Sequence, residues 1–234
     1  LLIGTGGTIC SKDSGEGLSP KMTPTELLGF CPDIQKNCEV EAIQIFSLDS
    51  TNIRPGHWLK MAETIHDNYS LYDGFVISHG TDTMAYSSAA LSYLIQNSSK
   101  PVILTGAQKP MDVIGTDAIR NMTEAFIVAS DDRSHGVQIV FNGLVIAGTR
   151  ARKNFSKSYG AFGSINFPEI ARVQDGNVIR YIEDKITGEP KLYNYLNPNV
   201  GLVKFVPGMH NDVLKYIIDQ YDGIVVESFG VGGL

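Results

Sequence analysis

No stretch of the 234 residues approaches the ~20 consecutive apolar positions that a membrane-spanning helix needs, which excludes that kind of membrane protein. Cysteine is scarce. Cys10, Cys31 and Cys38 are an odd number in a chain this long, so no disulfide framework is implied and a reducing compartment, the cytoplasm, is expected. Positive charge is short as well: 19 Lys+Arg stand against 25 Asp+Glu, a formal net charge of −6, which argues against nucleic acid or an anionic membrane as a partner. The five histidines (His57, His66, His79, His135, His210) are scattered, with neither H-E-x-x-H nor Cys-x-x-Cys, so no metal site is expected. A Walker pattern and a G-x-S-x-G elbow are also missing.

What is there is globular: 43% hydrophobic and 19% charged residues, in a length that suits one large domain or one and a half. Glycine is enriched, at 24 residues, against a usual share of about 7%. The chain begins inside an apolar run at Leu1 and stops at Gly232-Gly233-Leu234, and these ends read as those of a fragment.

Short apolar runs alternate with helical patterns, as in parallel α/β proteins. Strands are expected at Leu1–Ile3, Glu41–Leu48, Gly74–Ser78, Pro101–Thr105, Val137–Phe141, Leu144–Ala147 and Gly223–Ser228. Asn142-Gly143 marks a two-residue hairpin between the fifth and sixth of these. Helical stripes run through Trp58, Met61, Ala62, Ile65 and Tyr69, and through Ala118, Met122, Ala125, Phe126 and Ala129. A third covers Val213, Leu214, Ile217 and Ile218 with Asn211-Asp212 as cap, and Thr83–Gln96 reads as a buried helix. Residues 11–20 have no periodicity and read as a mobile lid-like loop. Asn194–Asn199 is the expected linker. The fold class is therefore α/β: a large N-terminal, mostly parallel sheet flanked by helices, followed by the start of a smaller α/β C-terminal domain.

In open parallel sheets ligands bind at the carboxyl ends of the strands. The segments there are Gly4-Thr5-Gly6-Gly7-Thr8, Asp49-Ser50-Thr51-Asn52, His79-Gly80-Thr81-Asp82-Thr83, Gly106-Ala107-Gln108-Lys109 and Gly230-Val231-Gly232-Gly233. The first is not a dinucleotide loop. Its third glycine would fall at Ile9, where no helix pattern starts, and no acidic residue follows at a convincing strand end. No cofactor is expected. Threonine is the residue type with chemical promise, because a hydroxyl becomes a nucleophile when a base takes its proton and N–H groups hold the oxyanion. Thr8 ends a glycine-rich turn, Thr81-Asp82 precedes a helix, and Arg150-Ala151-Arg152-Lys153 offers a base. Ordinary roles fit too: Thr and Asp ahead of a helix are commonly caps, and basic clusters are commonly solvated. Spacing alone leaves both readings open.

Taken together, these segments resemble the bacterial-type L-asparaginase family, in its cytoplasmic type I branch. The resemblance rests on Thr5-Gly6-Gly7-Thr8-Ile9 and His79-Gly80-Thr81-Asp82-Thr83-Met84, with Asp49-Ser50-Thr51-Asn52, Gly106-Ala107-Gln108, Gly148 to Lys153 and Glu227-Ser228-Phe229-Gly230 in the same order. It implies an amidohydrolase converting L-asparagine, and more weakly L-glutamine, to the acid and ammonia. Thr8 would attack the side-chain amide. Thr81 would be the second essential threonine, in a relay with Asp82 and Lys153. Ser50 and Thr51 would grip the α-carboxylate and Asp82 the α-ammonium, with Gly7, Gly80 and Ala107 also lining the substrate site.

The resemblance further implies a homodimer or homotetramer, a catalytic domain over 1–197, and the beginning of a C-terminal domain, cut short, over 199–234. It carries one departure: many relatives have a lid tyrosine bonded to the first threonine, and Leu18 stands in that place here, with Tyr159 and Tyr86 as substitutes to consider. Two other functions remain in view. One is the ammonia-supplying subunit of a tRNA-dependent amidotransferase; the other is an amino-acid binding module without turnover.

Overall fold

The structure is a computed structural model and describes residues 1–13, 18–183 and 186–230. Strand β1 (Leu2–Gly6) leads into a 3-10 turn at Thr8–Cys10, then the antiparallel pair β2 (Ser11–Asp13) and β3 (Leu18–Pro20), then helix α1 (Pro24–Gly29). After β4 (Ala42–Leu48) come α2 (Pro55–Asn68), β5 (Phe75–Ser78), α3 (Met84–Leu94), β6 (Ile95–Gln96), β7 (Pro101–Thr105) and α4 (Ala118–Ala129). Three antiparallel pairs follow: β8 (Gly136–Phe141) with β9 (Leu144–Ala147), β10 (Ala151–Lys153) with β11 (Phe162–Ser164), and β12 (Ala171–Gln174) with β13 (Asn177–Arg180). The chain ends with β14 (Lys191–Leu192), β15 (Val200–Lys204), α5 (Asn211–Gln220) and β16 (Gly223–Glu227). It divides into two compact units, Leu1–Asn194 and Tyr195–Leu234.

In the first unit one sheet of eight strands runs in the order β13-β12-β9-β8-β7-β5-β1-β4. The neighbours from β8 to β4 pair in parallel, and β9, β12 and β13 extend that edge antiparallel. Strands β1, β5 and β7 are buried along their whole length, as unbroken apolar runs in a sheet covered on both faces require. Alternate residues Leu2, Val76, Ile103 and Val140 join Leu27 of α1 and Met122 and Ala125 of α4 in one core cluster. The intervening Ile3, Ile77, Leu104 and Ile139 are equally buried, on the face toward which α3 packs against β7 and β8. Each such side chain contributes about 1.5–3 kcal/mol relative to exposure. In the second unit β15 and β16 pair in parallel, joined by α5.

The connection order sets the position of the site. From β1 the chain crosses to β4 on one side, then returns to β5 on the other side of β1. The order of connections therefore reverses between β1 and β5, and in open parallel sheets the carboxyl ends of the strands at such a reversal are where ligands bind.

Four features differ from the sequence reading. Residues 11–20 are not a featureless loop, because Ser11–Asp13 pairs with Leu18–Pro20 through backbone bonds that no side-chain period announces; residues 14–17 lie outside the description. A 3-10 turn does start beside Ile9, since three residues suffice for one and no apolar stripe is needed. The helix read to Gln96 ends at Leu94, where Ile95–Gln96 turns to pair with Lys191–Leu192. Helix α5 is capped by His210, whose Nδ1 accepts from the Asp212 N–H at 3.4 Å, rather than by Asn211-Asp212.

Candidate active site

The first loop at this reversal is shaped by backbone. Gly7 has φ 86°, a conformation that costs an L side chain strain, and a Cβ there would lie 2.4 Å from the Gly80 nitrogen. Its carbonyl turns inward, accepting from Cys10 N–H at 3.3 Å, the Cys10 thiol at 3.2 Å and the Ser11 hydroxyl at 3.0 Å. Across a trans peptide the Thr8 N–H then points the opposite way, and among the described residues it has no partner. The half-buried Thr8 hydroxyl likewise has no hydrogen-bond partner among them. A free hydroxyl beside a free N–H supplies the nucleophile's oxygen and a donor to the oxyanion, and leaves the base to another group.

The loop after β5 presses against the first. A Cβ on Gly80 would lie 2.6 Å from both Cβ and Oγ of Ser50, so Gly7, Gly80 and Ser50 meet with no room for a side chain between them. The Thr83 hydroxyl donates to the Ser50 carbonyl at 2.8 Å, tying this loop to the one after β4. Thr81 is buried and its Oγ1 accepts from Lys153 Nζ at 2.7 Å; the same Nζ lies 2.6 Å from Asp82 Oδ1. Lys153 comes from β10 and is 13% exposed along its side chain, whereas Asp82 is 57% exposed, so the pair faces solvent on the carboxylate side. Thr81 and Asp82 do not cap α3. Thr83 holds the cap position and its hydroxyl is spent on Ser50.

Ser50 and Thr51 behave differently from each other. Ser50 is buried, and its hydroxyl has no hydrogen bond to described residues. Thr51 gives both its N–H (2.8 Å) and its hydroxyl (2.7 Å) to Asp49 Oδ1, so in this state it offers only lone pairs. Ala107 is buried at the turn after β7, beside Gly106, whose added Cβ would lie 2.3 Å from the His79 carbonyl oxygen and 3.6 Å from Thr81 Cγ2. The Leu18 side chain lies outside the description, as do Val231, Gly232 and Gly233 of the last strand-end loop. Neither suggested tyrosine reaches Thr8: Tyr159 donates to the Gly115 carbonyl at 2.7 Å, and Tyr86 is exposed on α3.

Two supports escape the sequence reading. Asp117 directly precedes α4, as a capping residue would, yet its carboxylate turns back to accept from the N–H groups of Gln108 and Lys109 at 2.9–3.1 Å. Asn121, fully buried, donates to Asp117 and to the Gly106 carbonyl at 2.9 Å, so the Ala107 turn hangs on α4. His79 is also fully buried; burial holds its pKa down, to about 4. Among the described residues no cluster of three or more His, Cys, Asp or Glu is arranged to hold a metal ion, and no helix is long and apolar enough to cross a membrane.

An α/β sheet with hydroxyls, a lysine and a carboxylate gathered at its point of reversal is an enzyme's framework for acting on a small polar molecule. The chain belongs to the asparaginase family, whose N-terminal domain model matches residues 1–186. It is 36% identical to an L-asparaginase of Thermococcus kodakarensis, covering 100% of this chain and 72% of that protein. A solved structure of the thermostable L-asparaginase from the same organism superposes with a TM-score of 0.92, covering 100% of this chain and 71% of that one. The chain is also 35% identical to a glutamyl-tRNA(Gln) amidotransferase subunit of Pyrococcus furiosus, covering 99% of this chain and 56% of that protein. The structure of a probable cytoplasmic L-asparaginase from Campylobacter jejuni is 27% identical, with a TM-score of 0.83 over 96% of this chain and 72% of that one.

Proposed function

We propose that the protein hydrolyses L-asparagine to L-aspartate and ammonia, with L-glutamine a weaker substrate, and that Thr8 and Thr81 divide the chemistry. The observation that carries this reading is Lys153, bonded at once to Thr81 and Asp82. Thr8 Oγ attacks the side-chain amide carbon. The C–N bond breaks, ammonia leaves with the added proton, and an aspartyl ester remains on Thr8. Water attacks that ester, releasing aspartate and restoring the hydroxyl. The free Thr8 N–H is the natural donor to the oxyanion of both steps. Ser50 holds the α-carboxylate, Asp82 the α-ammonium, and Thr51 contributes lone pairs.

In the resting arrangement Lys153 donates to Thr81. Proton abstraction by Lys153 needs the reverse, so the lysine must first give up a proton to solvent, while Asp82, 2.6 Å away, remains a carboxylate for the α-ammonium. The catalytic domain spans 1–197, and 199–234 belong to a second domain. The scarcity of cysteine and the C. jejuni relative, named as a probable cytoplasmic L-asparaginase, support a cytoplasmic location; the assembly proposed is a homodimer or homotetramer.

The test is ammonia release from L-asparagine by the purified chain; calorimetric binding of asparagine without product would replace this reading with that of a binding module. The likeness to an amidotransferase component favours a second reading, in which the ammonia passes to a tRNA-bound substrate. Ammonia release without tRNA or a partner protein separates the two, and the −6 charge weighs against an RNA partner.

A further inference from the structure

His79 opens the loop after β5, and its hydrogen bonds can run in only one direction. Its Nδ1 is 2.7 Å from the Gly80 carbonyl oxygen, which can only accept, so Nδ1 carries the proton. The neutral ring then presents Nε2 as an acceptor, 2.9 Å from the Ser87 hydroxyl of α3, which must donate to it. Ser87 Oγ in turn accepts from Trp58 Nε1 of α2 at 2.9 Å, and an indole nitrogen can only donate. The chain of donors therefore runs Trp58, Ser87, His79, Gly80, with both ends fixed by groups that have no second role. His79 and Ser87 are both fully buried, so no water competes for these bonds.

The end of this chain is a sensitive place. Gly80 is wedged against Gly7 and Ser50, and the next residue is Thr81, whose hydroxyl must meet Lys153. The His79 backbone is fixed as well, its N–H donating to the Thr105 carbonyl of β7 at 2.8 Å. We infer that His79 is a positioning residue: through a one-way hydrogen-bond chain from α2 and α3 it anchors the Gly80 carbonyl and so sets where Thr81 and Asp82 stand. The inference rests on the asparagine-hydrolase reading in so far as Thr81 acts in the reaction.

The test compares His79→Phe and His79→Asn in the full chain, reading ammonia release and the thermal midpoint. Phenylalanine fills the space without a donor. Asparagine places an amide N–H where Nδ1 stood. With the wild type active, the folded His79→Phe variant loses about 100-fold in kcat, the scale of a small misplacement of a catalytic group. Its KM rises by no more than about tenfold, because Asp82 stands on the displaced loop whereas Ser50 and Thr51 are on another. His79→Asn recovers to within about tenfold of wild type. Unchanged kcat in the phenylalanine variant, or an asparagine variant no better than it, overturns the inference.

If His79→Phe does not fold, 15N NMR of the wild-type ring decides instead: a protonated Nδ1 with a bare Nε2 supports the chain, and the opposite tautomer overturns it. A wild type that releases no ammonia overturns the hydrolase reading itself, a different failure from variants that match an active wild type.

Discussion

Thr8 and Thr81 end neighbouring strands of one sheet, yet they are held by opposite means. The Thr8 turn is built from backbone: two glycines with positive φ, a carbonyl tied inward, and a hydroxyl and N–H with no partner among the described residues. The Thr81 arm is built from side chains: Lys153 reaches it from 72 positions away, Asp82 holds the lysine, and His79 fixes the carbonyl before it. One threonine is left open toward a ligand and the other is engaged in advance. That asymmetry fits a division of work in which Thr8 meets the amide first and Thr81 is poised for the proton traffic that follows.

The largest effects test whether both threonines are needed. Thr8→Val and Thr81→Val should each lower kcat by on the order of 10⁴-fold or more, and the double variant should be no worse than either single one, as for groups that act as a unit. Steady-state ammonia release checks this. Substantial activity in one of the two would reduce the pair to a single working residue. Lys153→Met should cost about 10²–10⁴-fold, the range of a lost acid–base group, and should add little on top of Thr81→Val because its one hydroxyl partner is gone. If it added its full effect there, Lys153 would be serving something other than Thr81.

The same contrast explains what is legible in the sequence. Apolar runs mark β5 and β7, and Asn142-Gly143 marks the β8–β9 turn, where Asn142 takes φ 50°. Asp175-Gly176 carries an equal signal and turns β12 into β13, with Asp175 at φ 50°; the flanking strands of four residues each are too short to stand out. Helix α1, with six residues, is too short for a stripe, and its mark is the reciprocal capping box of Thr23 and Glu26. In the site, the glycine-rich Thr8 turn shows locally because its needs are local. That Lys153 comes back to Thr81 shows only through the family resemblance and not in its local sequence, since the pairing of β10 with β11 and the packing of α3 against β10 bring that lysine back. In the sequence His79 is set apart from the other histidines only by standing beside Thr81; its partner Ser87 lies on α3 and the donor to Ser87, Trp58, on α2, two helices that the sequence places but does not orient.

A smaller effect concerns acid. Burial lowers the His79 pKa from 6.5 to about 4, so between those values the unfolded chain binds a proton that the folded one refuses. Stability should therefore rise with pH across this window. On acidification the protein should lose about 3 kcal/mol from this group by pH 4, while above pH 6.5 the group has no effect. Denaturant midpoints measured at about pH 7 and about pH 4.5 check it: His79→Phe should lack that part of the slope, and an identical slope would mean that the Thr81 arm is not held by a neutral ring.

The smallest effect belongs to the Thr8 side. The Ser11 hydroxyl is one of three donors to the Gly7 carbonyl, and Ser11→Ala leaves the Cys10 N–H and thiol in place. The lost bond is neutral and its acceptor stays satisfied, so the cost should be about 1 kcal/mol of stability. If backbone and glycine geometry alone orient Thr8, kcat should change by less than about tenfold, the kinetic equivalent of that energy. A far larger loss of kcat with the midpoint hardly moved would show that the Thr8 turn, like the Thr81 arm, depends on a side chain for its aim, and the contrast between the two threonines would be one of degree.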